Sequence, residues 1–519
     1  MKKWSVSVLL LCCVVIAVIA GGCSSGNNNN ANPPANTEGQ EGTEVQPTST
    51  LQGKTFSMLV ETNPSWPYDA NWPVWTWLKE ATGVTLDVSV PAGKLAETVQ
   101  LNVASGSMPD ISMILSISDA NKFGQQGAFA NILDYMELMP HFKKWKEQYP
   151  EAFRSNLAPD GKMYMFPNQG FGETNRMSWL YREDVFKENG LQTPKTYDEL
   201  YDVLKQLKAK YPDSYPLSFR MGKTLNSNMT KILAPNFGSS DTYYYNADTQ
   251  EVGYGPTEDG YKSMVEYLNK FTAEGLIPPN WLTVDTKQWQ DMMSTNKAFI
   301  TFDYLARIDF FNAPMREENP DYTLAFMAPP AGPNGAQVNP FTSFLQSGMA
   351  VSSKAKDVES IMQYIDFFYS EEGQTLASWG KEGETYTTVD GQKRLNDDFA
   401  DITDFRKKTG LSTHGTYTWI DYDAHLSLAS DELKAAYEEA VPYDKAYQPI
   451  PSFTDEEQDV LSTVGEAVDK HREENIAKFI MGTRPLSEWE QYKSEADKLG
   501  LEQVKEIYKN AYERAAAAN

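Results

Sequence analysis

Aromatic side chains set among polar ones are the residues of this sequence best suited to binding chemistry. Phenylalanine, tryptophan and tyrosine make up 12% of the chain. Trp66 and Trp72 flank Asp69 in a proline-punctuated segment directly after a predicted strand, where the loops of an α/β sheet contact ligands. Flat rings cover the apolar C–H faces of a sugar, while carboxylates and guanidinium groups bind its hydroxyl rim. Core packing is the alternative for each single ring, but the set favours a carbohydrate site.

Motifs that mark common enzymes and metal sites are missing from the sequence. The four histidines, His141, His414, His425 and His471, are not spaced as metal ligands, apart from the loose pair of the second and third. There is no HExxH or CxxC pattern, nucleophile elbow, P-loop or dinucleotide turn. We therefore expect no cofactor, metal or catalytic residue. A glycosidase or polysaccharide lyase stays open as the alternative, because two of the 71 acidic residues could form a catalytic pair.

The first residues have the pattern of an export signal. Two lysines precede an apolar stretch at 6–19, which is shorter than the roughly 20 residues that span a bilayer. Small residues at 20–22 stand directly before Cys23, as in the lipobox of bacterial lipoproteins, although that motif more often has leucine where Ala20 stands. We expect residues 1–22 to be a cleaved signal peptide and Cys23 to carry a lipid. The alternative is an ordinary signal peptide with an incidental cysteine.

The amino-acid composition indicates the character of the segment after the signal peptide and of the protein surface. All three cysteines lie at or before position 23, so the mature chain has no disulfide. Residues 23–53 are rich in Asn, Pro, Thr, Gly and Gln, which predicts a flexible tether. The net charge of −25 argues against binding nucleic acid or lying on an anionic bilayer. We therefore expect membrane contact through the lipid alone.

Strands and helices alternate after the tether, which is typical of an α/β protein with a mostly parallel sheet. The predicted strands cover 55–60, 84–90 and 111–115, and the predicted helices cover 73–82 and 95–104. From about residue 172 the chain is richer in long helices. Capping-box patterns predict helix starts at Thr196, Thr454 and Ser487.

Several motifs resemble a known family. They are SGSMPDI at 105–111, WLYRED at 179–184, AFITFDY at 298–304, GKEGETY at 380–386 and the ending from Phe479 through Tyr508. With them the chain resembles the extracellular solute-binding proteins of carbohydrate ABC importers, and within that family the large oligosaccharide-binding lipoproteins. The resemblance covers nearly all of the mature chain.

This resemblance implies a periplasmic-binding-protein-like α/β fold of two lobes with the ligand cleft between them. The N-terminal lobe is expected at 54–168 plus about 303–355, and the C-terminal lobe at 169–302 plus about 356–519. The lobes would close on an oligosaccharide and deliver it to a membrane permease. The resemblance implies a monomeric binding protein rather than an enzyme, anchored on the outer face of the cytoplasmic membrane of a Gram-positive-type cell.

Tryptophans in the cleft would stack on sugar rings, and carboxylates and arginines would bond hydroxyls. The expected ligand-binding residues are Trp66, Asp69, Trp72, Asn168, Trp179, Arg182, Trp289, Asp303, Tyr304, Arg307, Glu384 and Tyr386. The alternative for Trp179 and Arg182 is a structural role, and Asp303 could instead satisfy backbone groups. An acidic sugar could be bound through Arg182, Arg220 or Arg307.

One segment departs from the family. Members of this branch often carry an acidic calcium loop after the first long helix of the second lobe, but here residues 210–216 read KYPDSYP. No acidic residue follows Asp213 until Asp241, so we expect no calcium at this place. A peptide-binding or purely adhesive lipoprotein is a third interpretation of the whole chain.

Overall fold

The computed structural model describes residues 51–169, 176–220, 228–246, 249–341, 344–446 and 451–517. Cys23 and the predicted signal peptide lie outside these residues. Leu51, at the end of the predicted tether, is buried, and the Gly53 amide donates a 3.0 Å hydrogen bond to the Gly83 carbonyl. The folded part therefore begins before residue 54. In the described part of the chain, no helix combines the length and apolarity needed to cross a bilayer.

The described residues form strands and α-helices in alternation along the chain. The strands are β1 (Thr55–Leu59), β2 (Thr85–Ser89), β3 (Ile111–Ile114), β4 (Phe166–Gln169), β5 (Met177–Arg182), β6 (Tyr243–Asn246), β7 (Glu251–Tyr254), β8 (Ile300–Tyr304), β9 (Leu324–Met327), β10 (Asn339–Phe341), β11 (Phe344–Val351), β12 (Tyr386–Val389), β13 (Gln392–Leu395) and β14 (Asp444–Ala446). The α-helices are α1 (Pro73–Thr82), α2 (Leu95–Ser105), α3 (Ile117–Gln125), α4 (Pro140–Gln148), α5 (Pro150–Ser155), α6 (Glu183–Asn189), α7 (Tyr197–Lys210), α8 (Asn228–Leu233), α9 (Asp259–Ala273), α10 (Thr286–Ser294), α11 (Arg307–Glu318), α12 (Val358–Phe367), α13 (Glu371–Trp379), α14 (Ile402–Thr409), α15 (Tyr422–Leu426), α16 (Asp431–Ala440), α17 (Asp455–Val460), α18 (Glu466–Ile480), α19 (Trp489–Leu499) and α20 (Leu501–Ala517). The five elements predicted for residues 55–115 are confirmed, with bounds within one residue.

The first sheet has five strands in the order β2-β1-β3-β11-β4. Strand β1 pairs in parallel with β2 and β3, as predicted, while β11 runs antiparallel to β3 and β4. Its core also contains buried residues between 361 and 424, which the sequence prediction places in the C-terminal lobe. The physical reason is that β11 ends at Val351 beside β3, and the chain continues directly into α12 on the same sheet.

The second sheet has three antiparallel strands in the order β8-β5-β9. Its central strand β5 is buried on both sides, and the apolar faces of α7, α9 and α18 pack against this sheet. The segment predicted at about 303–355 for the N-terminal lobe divides between two sheets. Strands β8 and β9 belong to this sheet, and β11 belongs to the first. Tyr304, the last residue of β8, is partly exposed at one end of this sheet.

Two of the three predicted helix starts are confirmed. Thr454 forms a complete capping box with Glu457, and the Thr196 hydroxyl accepts a hydrogen bond from the backbone amide of Glu199. The predicted box at Ser487 is wrong, because Ser487 lies inside a short 3-10 turn and α19 begins at Trp489.

The loop at 211–216, after α7, is held by a lysine side chain. The Lys208 ammonium donates a 2.6 Å hydrogen bond to the Ser214 carbonyl and lies 5.0 Å from the centroid of the Tyr215 ring. The Tyr215 amide in turn donates to the Lys297 carbonyl at 2.7 Å. The Lys208 ammonium therefore binds the Ser214 carbonyl, and backbone carbonyls are groups that a calcium ion could also bind. In the described ranges, no group of three or more His, Cys, Asp or Glu side chains is arranged to hold a metal.

Replacing Lys208 with methionine is expected to lower the free energy of unfolding by about 1–2 kcal/mol, because the Ser214 carbonyl loses a charged donor. Lys210→Met is the matched control, since Lys210 lies exposed in the same last turn of α7. Urea unfolding measures both variants. Calcium or a chelator should leave the melting temperature unchanged, and a rise of several degrees on adding calcium would contradict this account of the loop.

Candidate functional site

A carboxylate between two guanidinium groups lies at the carboxyl end of β8. The Asp303 side chain is only 2% exposed and accepts hydrogen bonds from Arg220 Nε at 2.6 Å, Arg220 Nη2 at 3.2 Å and Arg307 Nε at 3.0 Å. The backbone amide of Tyr304 donates to the same carboxylate at 2.8 Å. We call Arg220, Asp303, Tyr304 and Arg307 the β8 cluster.

Local structure explains this arrangement. Strand β8 ends at Tyr304 and α11 begins at Arg307, so the arginine lies one turn beyond Asp303 and reaches back to it. Burial lowers the pKa of Arg220, but attraction and hydrogen bonding to Asp303 outweigh it and raise that pKa above its usual value. The Arg220 guanidinium is therefore held as a cation.

Aromatic rings surround the two guanidinium groups. The Arg307 Cζ atom lies 5.3 Å from the centroid of the Phe310 ring, 5.6 Å from that of Trp289 and 5.8 Å from that of Tyr304. The Arg220 Cζ atom lies 5.9 Å from the Trp289 ring and 5.6 Å from the Tyr304 ring. Cations over aromatic faces are attracted to the ring quadrupoles. The rings therefore fix the position of both arginines.

A second set of aromatic residues follows β1 in the first sheet. Trp66 is partly exposed, and the buried guanidinium of Arg406 lies 4.9 Å from the centroid of its ring. Tyr68, Trp72 and Trp75 pack edge-on or tilted within 6.4 Å of one another. Burial lowers the pKa of Arg406. We call Trp66 and Arg406, with these three supporting rings, the Trp66 platform.

Polar groups border this platform. His414 Nδ1 lies 2.5 Å from the Glu61 carboxylate at the end of β1. Tyr417 is fully buried, and its ring centroid lies 6.3 Å from that of His414. Burial raises the pKa of Tyr417 well above its usual value, while the positive charge of Arg406 lowers it. The platform therefore combines open ring surface with fixed polar partners.

The β8 cluster and the Trp66 platform are linked through Tyr437 on α16. The Arg406 charge on α14 acts on the Tyr437 phenol. Tyr437 packs in one apolar cluster with Trp289 and Ile308, the residues behind Arg307. Burial first, and then Arg406, lowers the pKa of His425 to about 3, so this neighbour of Tyr437 stays neutral. The same α16 helix therefore supports one group and lies within electrostatic reach of the other.

An open cavity of about 430 Å³ also adjoins Tyr437. Its wall is formed by α15 and α16, with Tyr422 and Leu426 on one side and Lys434 on the other. None of the β8 cluster or the Trp66 platform lines it. We therefore place the candidate site at the two charged and aromatic groups rather than in this cavity.

Four of the predicted ligand-binding residues come together at the end of β8. They are Trp289, Asp303, Tyr304 and Arg307. Trp289 is fully buried and donates from Nε1 to the Thr301 hydroxyl at 3.0 Å, so it supports the arginines from behind. Trp66 lies in the platform, with Asp69 exposed beside it. Trp72 is buried and donates to the Lys407 carbonyl at 2.8 Å.

Trp179 and Arg182, on β5, are used for packing instead of ligand contact. Trp179 is completely buried in the core of the second sheet, against Phe302. Arg182 is 1% exposed, forms a bidentate ion pair with Asp184 and stacks on Tyr322. Both side chains point into the protein because the central strand of this sheet is covered on both faces. Trp179 and Arg182 therefore have structural roles, and the expectation that they contact the ligand is corrected.

Three further predicted residues also belong to the first sheet and its core. Asn168 is fully buried at the end of β4. Tyr386 is buried beside Trp379 in the core. Glu384 is exposed and accepts a hydrogen bond from Trp77 Nε1 at 3.3 Å. Glu384 and Tyr386 therefore contact neighbouring aromatic side chains, while Asn168 is enclosed in the protein.

Sequence reasoning missed two residues of the site. Arg406 sits in a run of three cations on α14, and His414 was noted only for its loose spacing from His425. Both lie more than 300 positions from their partners Trp66 and Glu61. No local pattern could have found them, because the contacts exist only once the distant segments fold together.

The comparisons with known proteins cover most of the chain. A family model described as bacterial extracellular solute-binding protein matches residues 48–375. The fructooligosaccharide ABC transporter substrate-binding protein FusA of Streptococcus pneumoniae serotype 4 is 26% identical over 92% of this chain and 95% of its own. The polygalacturonan/rhamnogalacturonan-binding protein YtcQ of Bacillus subtilis is 22% identical over 84% and 87%.

A solved structure shares the fold. The crystal structure of the alginate-binding protein AlgQ2 without calcium ion matches with a TM-score of 0.75 and 23% identity, over 91% of this chain and all of that one. At this identity the match concerns the fold alone. The predicted α/β fold of two lobes is confirmed, with one sheet in each.

Replacing Asp303 with asparagine is expected to lower the free energy of unfolding by roughly 2–3 kcal/mol. The change leaves two cations beside each other without their carboxylate. The loss falls below the roughly 3–5 kcal/mol of a fully buried pair because both arginines keep some contact with water.

Asp321→Asn is the control, since Asp321 is exposed and should change stability by less than about 0.5 kcal/mol. Guanidinium unfolding followed by tryptophan fluorescence measures both. Equal stability of the two variants would show that the ion pairs of the β8 cluster do not hold this end of the strand.

Proposed function

The chain belongs to the bacterial extracellular solute-binding proteins, and we propose that it is the substrate-binding component of an ABC importer that captures an oligosaccharide. The ligand would bind between the Trp66 platform on the first lobe and the β8 cluster on the second. The protein would act as a monomer and pass the sugar to a membrane permease.

The observation that carries this proposal is the chemistry of the two groups. Trp66 offers a partly exposed ring backed by a cation, and the β8 cluster offers guanidinium donors beside Tyr304 and the exposed Phe310. Aromatic surface suits the apolar faces of sugar rings, and fixed donors suit their hydroxyl oxygens. FusA and YtcQ, which are both named for carbohydrate ligands, agree with this ligand class.

A ligand that binds the closed form more tightly would favour closure of the two lobes, which is the step that precedes delivery to the permease. A sugar that contacts both lobes binds the closed form more tightly than the open form and so raises its population. A ligand that contacted one lobe alone would not shift this equilibrium. Contacts from both the Trp66 platform and the β8 cluster give the required difference in affinity.

The enzyme alternative gains no support from this site. A glycosidase needs one carboxyl group as acid and a second carboxylate as base or nucleophile. Asp303, the carboxylate of the β8 cluster, already accepts hydrogen bonds from two arginines and one backbone amide. Glu61, near the platform, is paired with His414. We therefore retain binding as the function.

The lipid on Cys23 belongs to the same proposal. An acyl anchor at Cys23 would hold the protein on the outer face of the cytoplasmic membrane, close to its permease. The tether at 23–50 would allow the body to turn and dock. This arrangement suits a Gram-positive-type cell, which has no outer membrane to retain free binding proteins.

Isothermal titration against neutral and acidic plant and bacterial oligosaccharides should show saturable binding of at least one sugar. Trp66→Ala should weaken that binding at least about tenfold, because the ring that stacks on the sugar is lost. Trp66→Phe should retain most of the affinity, since it keeps a smaller ring. Absence of binding across the panel would overturn the proposal, and release of reducing sugar by the purified protein would favour the enzyme alternative.

Replacing Cys23 with serine should release the protein into the culture medium of a Gram-positive expression host. Cys13→Ser, in the apolar part of the signal, is the control and should leave the protein with the cells. Immunoblotting of the membrane and medium fractions measures the distribution. Retention of the Cys23→Ser protein in the membrane fraction would contradict lipid attachment at this residue.

A further inference from the structure

We propose that the ligand is an acidic oligosaccharide and that Arg307 binds the carboxylate of one of its uronic acid residues. This inference rests on the proposed function and specifies the ligand of the same site. It follows from the charge of the β8 cluster, from the hydrogen bonds that its members already make, and from the exposed ring beside it.

The described side chains of the β8 cluster include more cations than carboxylates. Arg220 and Arg307 contribute two cations, and Asp303 contributes one carboxylate. Asp309 lies two residues after Arg307 on α11 but accepts its hydrogen bonds from Ser430, on another side of the helix. This local excess of positive charge stands out in a chain with a net charge of −25.

Asp303 is saturated, but Arg307 is not. The Asp303 carboxylate accepts from both arginines and from the Tyr304 amide. Among the described residues, Arg307 donates to it through Nε, and its Nη1 and Nη2 atoms make no hydrogen bond. The side chain is 20% exposed. One planar edge of the guanidinium therefore carries two open donors.

Those two donors have the spacing that a carboxylate needs. A guanidinium edge and a carboxylate form two parallel charge-assisted hydrogen bonds. The Arg307 guanidinium is held on one side by Asp303 and flanked by the rings of Trp289 and Tyr304. It loses little freedom when a ligand binds, so the charged contact is not offset by a large entropic cost.

Phe310 supplies the second half of a uronic acid site. It is 47% exposed, which is unusual for a large apolar side chain, and its ring centroid lies 5.3 Å from the Arg307 Cζ atom. Residues three apart share one face of a helix, so Phe310 and Arg307 on α11 present their surfaces to the same ligand. A hexuronate could stack its C–H face on Phe310 while its carboxylate meets Arg307.

Isothermal titration with trigalacturonic acid and with its fully methyl-esterified form tests the inference, because esterification removes the negative charge of each carboxyl group and adds only a methyl group. The acid should bind about 10- to 100-fold more tightly than the ester. Raising the salt concentration should weaken binding of the acid and leave the ester unaffected. Neutral kestose and an alginate trisaccharide extend the comparison to a neutral sugar and to other uronic acids.

Arg307→Gln should abolish this preference, measured as the ratio of the affinities for the acid and the ester, and Arg307→Lys should retain part of it. Arg394→Gln is the control, since Arg394 is exposed on β13 and its loss removes the same charge. A cooperative thermal unfolding transition would confirm that each variant is folded.

The outcomes separate the inference from the proposed function. A preference for acidic sugars that depends on Arg307 supports the inference. Equal or tighter binding of kestose or the ester, or an unchanged preference in Arg307→Gln, overturns the inference while the sugar-binding function stands. Absence of binding to every sugar in the panel overturns both.

Discussion

The pairing of the buried Asp303 carboxylate is the constraint on which the candidate site depends. A carboxylate that is 2% exposed must be matched by positive donors, because an unpaired buried charge is strongly destabilising. Arg220 ends the described range 176–220, and Arg307 opens α11. Their shared partner fixes two distant segments to the end of β8. It also fixes the direction in which the free edge of Arg307 faces.

On the other side of the candidate site, a buried charge is again held by a partner, and here the partner is an aromatic ring. Arg406 is buried under the Trp66 ring, which keeps that ring oriented while leaving part of its surface open. Tyr437 on α16 packs behind Arg307 and lies within electrostatic reach of Arg406. We propose that these two charged groups, each held by rings, contact one ligand between the two lobes. Binding energy obtained from both sides is what favours the closed state.

The sequence predicts the local elements well and the site only in part. The strands and helices of residues 55–115 follow from alternating and helical apolar patterns, which are local properties. The cluster of Asp303, Tyr304 and Arg307 could also be anticipated, since its members are close in sequence. Trp179 and Arg182 could not be assigned, because a tryptophan or arginine on a strand gives no sign of whether both faces of that strand are covered. Arg406 and His414 acquire their roles only through contacts across more than 300 residues.

A crystal structure of the protein with an oligosaccharide that binds in calorimetry tests the central claim most directly. The account predicts one sugar chain that touches the Trp66 ring on the first lobe and the Arg307 guanidinium on the second. A sugar bound to one lobe alone, or bound at a place that includes neither residue, would contradict it.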